Sequence, residues 1–165
     1  MADDRGAIEE ANTFFQRGYE AQMAGRLEEA IEHYRRSIRI RPTAEAHTFL
    51  GWTFSFLGRH EDAIAECKVA ISVDPEFGNP YNDIGAYLIE LGRHEEAIPW
   101  LERAKVARRY EPRHFPYANL ARVYVRQNRL VPALRELRAA LDIEPGYEGA
   151  QRELARVGHL LHSLS

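Results

Sequence analysis

The sequence holds a single cysteine, Cys67, among its 165 residues. One chain can therefore form neither an internal disulfide nor a cysteine-based zinc site, and a reducing compartment is the expectation. Lysine is almost missing too, with Lys68 and Lys105 set against 20 arginines, a bias in which we read no chemistry. No uncharged apolar stretch approaches the roughly 20 residues that a membrane-spanning helix needs. The opening MADDRGAIEE lacks the basic-then-apolar layout of a secretory signal, so a cytoplasmic protein without membrane association is expected. Motifs that announce catalysis are absent as well: HExxH, GxxxxGK, GxSxG and GxGxxG do not occur. The expectation is a protein that is not an enzyme, with no catalytic residues, no cofactor and no metal.

What is present is the balance of a globular chain that can bury a core, 45% hydrophobic and 28% charged. The net charge of −3 is unevenly spread. Residues 1–100 carry 10 Lys+Arg against 18 Asp+Glu, and residues 101–165 carry 12 against 7. The two ends thus bear opposite fields, which admits weak head-to-tail self-association.

Self-comparison exposes a repeat. GRLEEAIEHYRRSIRIRP from Gly25, GRHEDAIAECKVAISVDP from Gly58, GRHEEAIPWLERAKVARR from Gly92 and NRLVPALRELRAALDIEP from Asn128 align without internal gaps. Their starts lie 33, 34 and 36 residues apart, a period of stacked architectures. Each unit reads as two helices with apolar residues at helical spacing. Gly25, Gly58, Gly92 and Asn128 stand where the first helix ends and a left-handed residue is wanted. Pro42, Pro75 and Pro145 end second helices. Ala30, Ala63, Ala97 and Ala133 fall where the second helix crosses the first, and Gly18, Gly51, Gly85 and Ala121 form a second small column. A helical glycine costs about 1 kcal/mol relative to alanine, so its recurrence argues for close packing. Two columns supply large core residues: Phe14, His47, Tyr81 and Tyr117, then Tyr34, Cys67, Leu101 and Leu137.

These residues resemble the tetratricopeptide repeat family, with repeats at 11–43, 44–77, 78–113 and 114–147. Residues 1–10 are an N-terminal extension and the start of the first helix; residues 148–165 are a capping helix and the C-terminal end, with Leu154, Val157, Leu160 and Leu161 as its apolar face. The resemblance implies an all-α fold, a right-handed superhelical solenoid of four helix pairs plus a capping helix, with the first helices lining a concave face. It further implies a non-catalytic adaptor or scaffold that holds a partner peptide or helix in that groove. A secretion-type chaperone and a regulatory subunit docked on an enzyme are the alternatives.

Repeat three departs from the pattern. Arg109 stands where its proline belongs, and residues 108–114 carry two extra positions. The second helix is expected to extend toward Pro112, to bend near Ile98 because Pro99 removes a backbone donor, and to change the curvature before repeat four. Arg17 replaces an aliphatic residue in repeat one.

Several groups invite functional readings. Glu28 with Glu29, Glu61 with Asp62, and Glu95 with Glu96 look like paired carboxylates but suit helix starts, where negative charge meets the positive end of the dipole. His60 and His94 occupy equivalent, solvated positions, and Cys67 is a core residue and a poor nucleophile. His159 and His162 share a face without a third ligand.

The groove is the expected site. Phe15, Tyr19, Trp52 and Phe56 would hold apolar side chains of a partner, Asn79 and Asn82 its backbone, and Arg122 and Arg126 a carboxylate; aromatic residues and arginine often dominate binding energy. Alternatively, some aromatics pack between repeats or under residues 1–10. The clamp with which family co-chaperones hold the C-terminal carboxylates of heat-shock chaperones is missing. Its positions fall on Phe15, Tyr19, Phe49, Asn79 and Asp83, or one repeat later on Thr48, Trp52, Asp83, Phe115 and Asn119, and neither frame supplies cations. Arg103, Lys105, Arg108, Arg109 and Arg113, with Tyr110 among them, form a basic cluster that would suit phosphates or an acidic protein as a second surface. The net-acidic remainder of the chain disfavours nucleic acid.

Overall fold

The computed structural model describes the backbone of residues 2–165 and the side chains of residues 4–165. Among the described residues there are nine helices and no sheet: α1 (Ala2–Met23), α2 (Leu27–Ile40), α3 (Ala44–Phe56), α4 (His60–Val73), α5 (Asn79–Glu90), α6 (His94–Val106), α7 (Phe115–Arg126), α8 (Leu130–Ile143) and α9 (Glu148–Ser163). Each odd helix packs on the even helix that follows it, and α1, α3, α5 and α7 also contact one another in sequence. The result is a solenoid of four helix pairs closed by α9, with the first helices on its concave side.

The turns within the pairs share one mechanism. Gly25, Gly58, Gly92 and Asn128 take φ of 78°, 74°, 76° and 56°, the left-handed region that stops a helix at low cost only for glycine and asparagine. The arginine after each donates its backbone N–H back across five residues, as from Arg26 to the Ala21 carbonyl at 2.9 Å and from Arg93 to Leu88 at 2.8 Å. In three repeats the same arginine clamps a carboxylate of the next helical turn: Arg26 to Glu29 at 2.7 Å, Arg59 to Asp62 at 2.8 Å and Arg93 to Glu96 at 2.6 Å. The arginine partner holds the Glu29 and Glu96 carboxyls below the usual range. These acids are thus helix-start residues and not a paired catalytic set.

The small columns let the two helices of a pair close on each other. A Cβ at Gly85 would lie 2.5 Å from Leu101 Cγ, and one at Gly51 would lie 2.9 Å from the Ala63 carbonyl oxygen. Overpacking of this kind costs about 1–3 kcal/mol. Tyr34, Cys67, Leu101 and Leu137 fill the interior with almost no exposure, and Ala30, Ala63, Ala97 and Ala133 are fully buried. Burial pushes the Cys67 thiol well above its ordinary value, which leaves it inert as a nucleophile.

Three expectations change, and one alternative falls away: residues 2–10 continue α1 as one 22-residue helix and do not fold over the aromatics. His60 and His94 are half-buried, not solvated; their Nδ1 atoms are shielded without a partner, and the His60 ring lies 6.0 Å from that of Tyr87. α6 runs through Pro99 but stops at Val106 instead of extending toward Pro112. Ala107 turns to extended backbone, and Arg109 pairs with the loop before α5: its N–H donates to the Glu76 carbonyl at 3.0 Å, and its carbonyl accepts from the Gly78 N–H at 2.9 Å.

The physical reason for the short α6 is Tyr110. It is only 4% exposed, packed with Tyr81, Ala104 and Ala107. A Cβ on Gly78 would lie 2.5 Å from Tyr110 Cβ, so glycine is what lets the loop lie so close. Burying an aromatic side chain there outweighs one more exposed helical turn, since a fully buried large side chain contributes about 1.5–3 kcal/mol. The third change concerns the basic cluster, most of which is engaged with other groups of the chain. Arg109 binds Glu45 at 2.9 Å and Asp74 at 2.5 Å, and Arg113 donates to the Lys105 and Ala107 carbonyls at 2.7 and 2.9 Å. Lys105 binds Glu136 at 2.9 Å, Arg108 lies 3.3 Å from Glu76, and Arg103 covers the rings of Tyr81 and Trp100.

Candidate functional site

Aromatic rings run along the concave face from α1 to α3. Phe49 is their hub: its ring centroid lies 5.2 Å from Phe15, 5.9 Å from Tyr19 and 5.8 Å from Trp52, each in an edge-on arrangement. Trp52 continues to Phe56 at 5.1 Å. These positions follow from helical spacing, since Phe15 and Tyr19 are four apart, as are Trp52 and Phe56, so each pair shares a face. Phe15 also meets buried Tyr34 at 5.6 Å and partly serves the core. Tyr19 and Phe56 are 39% and 56% exposed, well above what a core role requires.

The strip opens at Trp52 into a cavity of about 290 Å³. Thr48, Phe49 and Trp52 from α3, Asn79, Asn82 and Asp83 from α5, and Phe115 from α7 line it, with Tyr110 and Pro112 of the 107–114 loop. The extra length of repeat three thus forms a wall of the groove. Thr48 turns its hydroxyl back to the Ala44 carbonyl at 2.7 Å. Asn82, 7% exposed, accepts from Asn119 Nδ2 at 2.9 Å through its carbonyl oxygen, which is therefore already engaged. Burial pushes the Asp83 carboxyl up to about 7, an effect partly offset by the neighbouring Asn82 amide.

A second cavity of about 370 Å³ follows between α7, α8 and α9, lined among others by Arg122, Val125, Arg126, Tyr147, Glu153 and Arg156. Here the two expected anion-binding residues differ. Arg122 is tied to Glu90 at 3.0 Å and to Asn119 at 3.1 Å. Arg126 is exposed and makes no ion pair among the described residues, whereas Arg156 is held by Glu153.

Of the eight expected site residues, Trp52, Asn79 and Asn82 share one cavity. Phe15, Tyr19 and Phe56 join it through the rings of Phe49 and Trp52, and Arg122 and Arg126 lie in the next cavity. Helix spacing alone could not bring in Tyr110 and Pro112, although the two extra residues of repeat three marked where to look. Asp83 lay on the concave side by register, but its half-buried setting is a product of packing. No described helix is long and apolar enough to cross a membrane.

Family models described as tetratricopeptide repeat match residues 11–44, 44–77 and 76–144. Type IV pilus assembly protein PilF of Pseudomonas aeruginosa is 26% identical over 156 residues, which is 94% of this chain and 62% of that protein. Small glutamine-rich tetratricopeptide repeat-containing protein 2 of Mycosarcoma maydis is 34% identical over 82 residues, 49% of this chain and 23% of that one. The chain thus spans less than two thirds of either relative. Among solved structures, that of P. aeruginosa pilF superposes with a TM-score of 0.89 at 24% identity, covering 96% of this chain and 72% of the other. YrrB, described as a TPR protein with an unusual peptide-binding site, superposes at 0.71 with 18% identity over 87% of this chain and 73% of that one.

Proposed function

Because the chain belongs to the tetratricopeptide repeat family, we propose that it is a non-catalytic adaptor or scaffold seating an extended or helical segment of a partner protein on its concave face. The observation that carries this reading is the strip from Tyr19 to Phe56, partly exposed and continuous with the cavity behind Trp52. Rigid aromatic side chains lose little entropy on binding and present large contact areas, which is why such clusters dominate interface energies. In this reading Tyr19, Trp52 and Phe56 take apolar side chains of the segment. Asn79 and Asn82 meet its backbone, and Arg126 takes a carboxylate. Arg122, engaged with Glu90, shapes the groove rather than binding.

A second reading rests on the likeness to PilF across 94% of the chain. It makes the partner a component of a type IV pilus assembly, and the groove a station where that component is held during assembly.

The test is a peptide-display selection on purified protein, run in parallel on wild type, Trp52→Ala and Arg126→Ala. A shared motif with apolar anchors, lost on Trp52→Ala and deprived of its acidic position on Arg126→Ala, is the expected result. No enrichment, or enrichment indifferent to both substitutions, would sink the groove reading. Enrichment of segments that also occur in pilus components would favour the second reading.

A further inference from the structure

Carboxylates around the groove are matched with cations of the chain itself. Glu45 and Asp74 hold Arg109, and Glu90 holds Arg122. Asp83 is different: half-buried in the cavity wall, it makes no ion pair among the described residues. The groups that line the cavity with it supply no charge, whether from α3, from α5, from the 107–114 loop or from α7. Near it, Cys67 of α4, Tyr87 of α5 and Tyr110 of the loop have their own ionisation opposed by the Asp83 charge, and all three keep their protons at neutral pH.

A carboxylate in such a place lacks two things, water and a counter-charge. The surroundings are suited to the second. Trp52, Phe49, Tyr110 and Phe115 present aromatic rings around the same space, and ring faces attract cations more strongly when water is excluded. Asp83 also belongs to the half of the chain whose charge is negative, residues 1–100, with 18 Asp+Glu against 10 Lys+Arg. A volume of about 290 Å³ is at the small end for ligand pockets, sized for a side chain rather than for a helix.

We infer that this cavity is the seat for a lysine or arginine side chain of the partner segment, with Asp83 as its counter-ion and Trp52 and Tyr110 as its aromatic walls. The inference rests on the groove reading and adds a specificity to it: the segment that fits carries a cation among its apolar anchors. It also accounts for the 107–114 loop, whose ion pairs and buried tyrosine hold one wall of the seat in place. Arrival of the cation restores the charged state of Asp83 that burial opposes, so binding is strongest where the carboxyl is ionised.

The test uses three small probes, N-acetyl-lysine amide, N-acetyl-arginine amide and the uncharged N-acetyl-norleucine amide. Each is titrated into the isotope-labelled full chain, with the Trp52 indole N–H signal as readout and Trp100→Phe to assign it. At pH 8 at least one cationic probe is expected to bind about tenfold more tightly than norleucine, the scale of one charge-assisted contact. Between pH 8 and pH 6 its affinity should fall about fivefold, because a carboxyl that titrates near 7 is mostly ionised at the first pH and mostly neutral at the second, where the residual affinity is that of the uncharged probe. In Asp83→Asn, which is close in shape, both the preference and the pH dependence should vanish while norleucine binding stays. Equal affinity of wild type for charged and uncharged probes overturns the cation seat and leaves the apolar groove standing. Silence toward all three probes also overturns it, with the groove reading then judged by the display selection alone. Sedimentation velocity on both proteins gives the last arm. A wild-type dimer lost in Asp83→Asn would place an arginine of a second copy in the seat and overturn the partner-segment assignment, whereas monomers in both support it.

Discussion

Between α2 and α3 the chain takes three residues, 41–43, whereas between α6 and α7 it takes eight, 107–114. The short junction needs only a proline that cannot continue the helix and Thr43, whose side chain accepts from the Ala46 N–H at 3.1 Å. The long one is tied locally by Arg113, which donates to the Lys105 and Ala107 carbonyls, but it is held mainly from a distance, by backbone pairing with residues 76–78, by Tyr110 buried on α5 and α6, and by Arg109 reaching Glu45 at the start of α3. A regular junction stacks two repeats; the irregular one ties three together and in doing so walls a cavity. The difference teaches that the family pattern makes a scaffold, and that its interruption individualises the groove.

The sharpest way to break this contrast is Tyr110→Ala. Truncating a buried aromatic costs about 3–5 kcal/mol, and denaturant unfolding should show a loss near the lower figure because the loop can partly collapse. Gly78→Ala should add a cost of its own to Tyr110→Ala, because the nearest neighbour of the new methyl group, the Cβ of residue 110 at 2.5 Å, remains in alanine; a double variant no less stable than Tyr110→Ala would mean that the two do not meet as described.

Next in size is Asp83→Asn. The native carboxyl titrates near 7, above its ordinary 3.8, so the folded state binds more protons than the unfolded state between about pH 4 and 7. Stability contributed by this group is therefore full at the acid end and declines as pH rises through that window. Asp83→Asn should be more stable than wild type at pH 8, by up to about 4 kcal/mol and by less to the extent that water reaches the half-buried carboxyl, and indistinguishable from it near pH 4. Equal stabilities at both pH values would show that the carboxyl pays no desolvation cost. A stability gain from removing a charged groove residue is what a functional site leads one to expect.

The smallest effect belongs to Arg109→Ala. Its ion pairs are largely exposed and worth about 1 kcal/mol or less, diminishing with salt. Arg109 holds the Asp74 carboxyl below its ordinary value. That contribution is present above about pH 4 and disappears as pH falls through the lowered native value, so the variant and wild type should converge in strong acid. Cation-probe binding should weaken along with it if Arg109 steadies the cavity wall.

Much of this was legible in residue order. The turn column of Gly25, Gly58, Gly92 and Asn128 requires left-handed backbone whatever surrounds it, and the helix-pair fold follows from its period together with the small and large columns. The aromatic strip was readable as well, because residues four apart on one helix share a face. By contrast, Arg122 read as a free cation and proved committed to Glu90, a residue 32 positions earlier and one repeat away. Lys105, Arg108 and Arg109 read as part of a basic patch and proved to be paired within the chain, for the same reason: their partners come from α3, the loop before α5, and α8.

The amino-acid sequence by itself determined the repeat, the helix boundaries within the pairs, the packed core and the side of each first helix that faces the groove, because these depend on local backbone preference and on a period of 3.6 residues. Only the tertiary structure decided which charges remain unspent and where the groove deepens. Ion pairing and burial depend on distances between residues far apart in the chain, and the 107–114 loop, free of the repeat's periodicity, takes its course from Tyr110, Gly78 and Glu45 rather than from its neighbours in sequence.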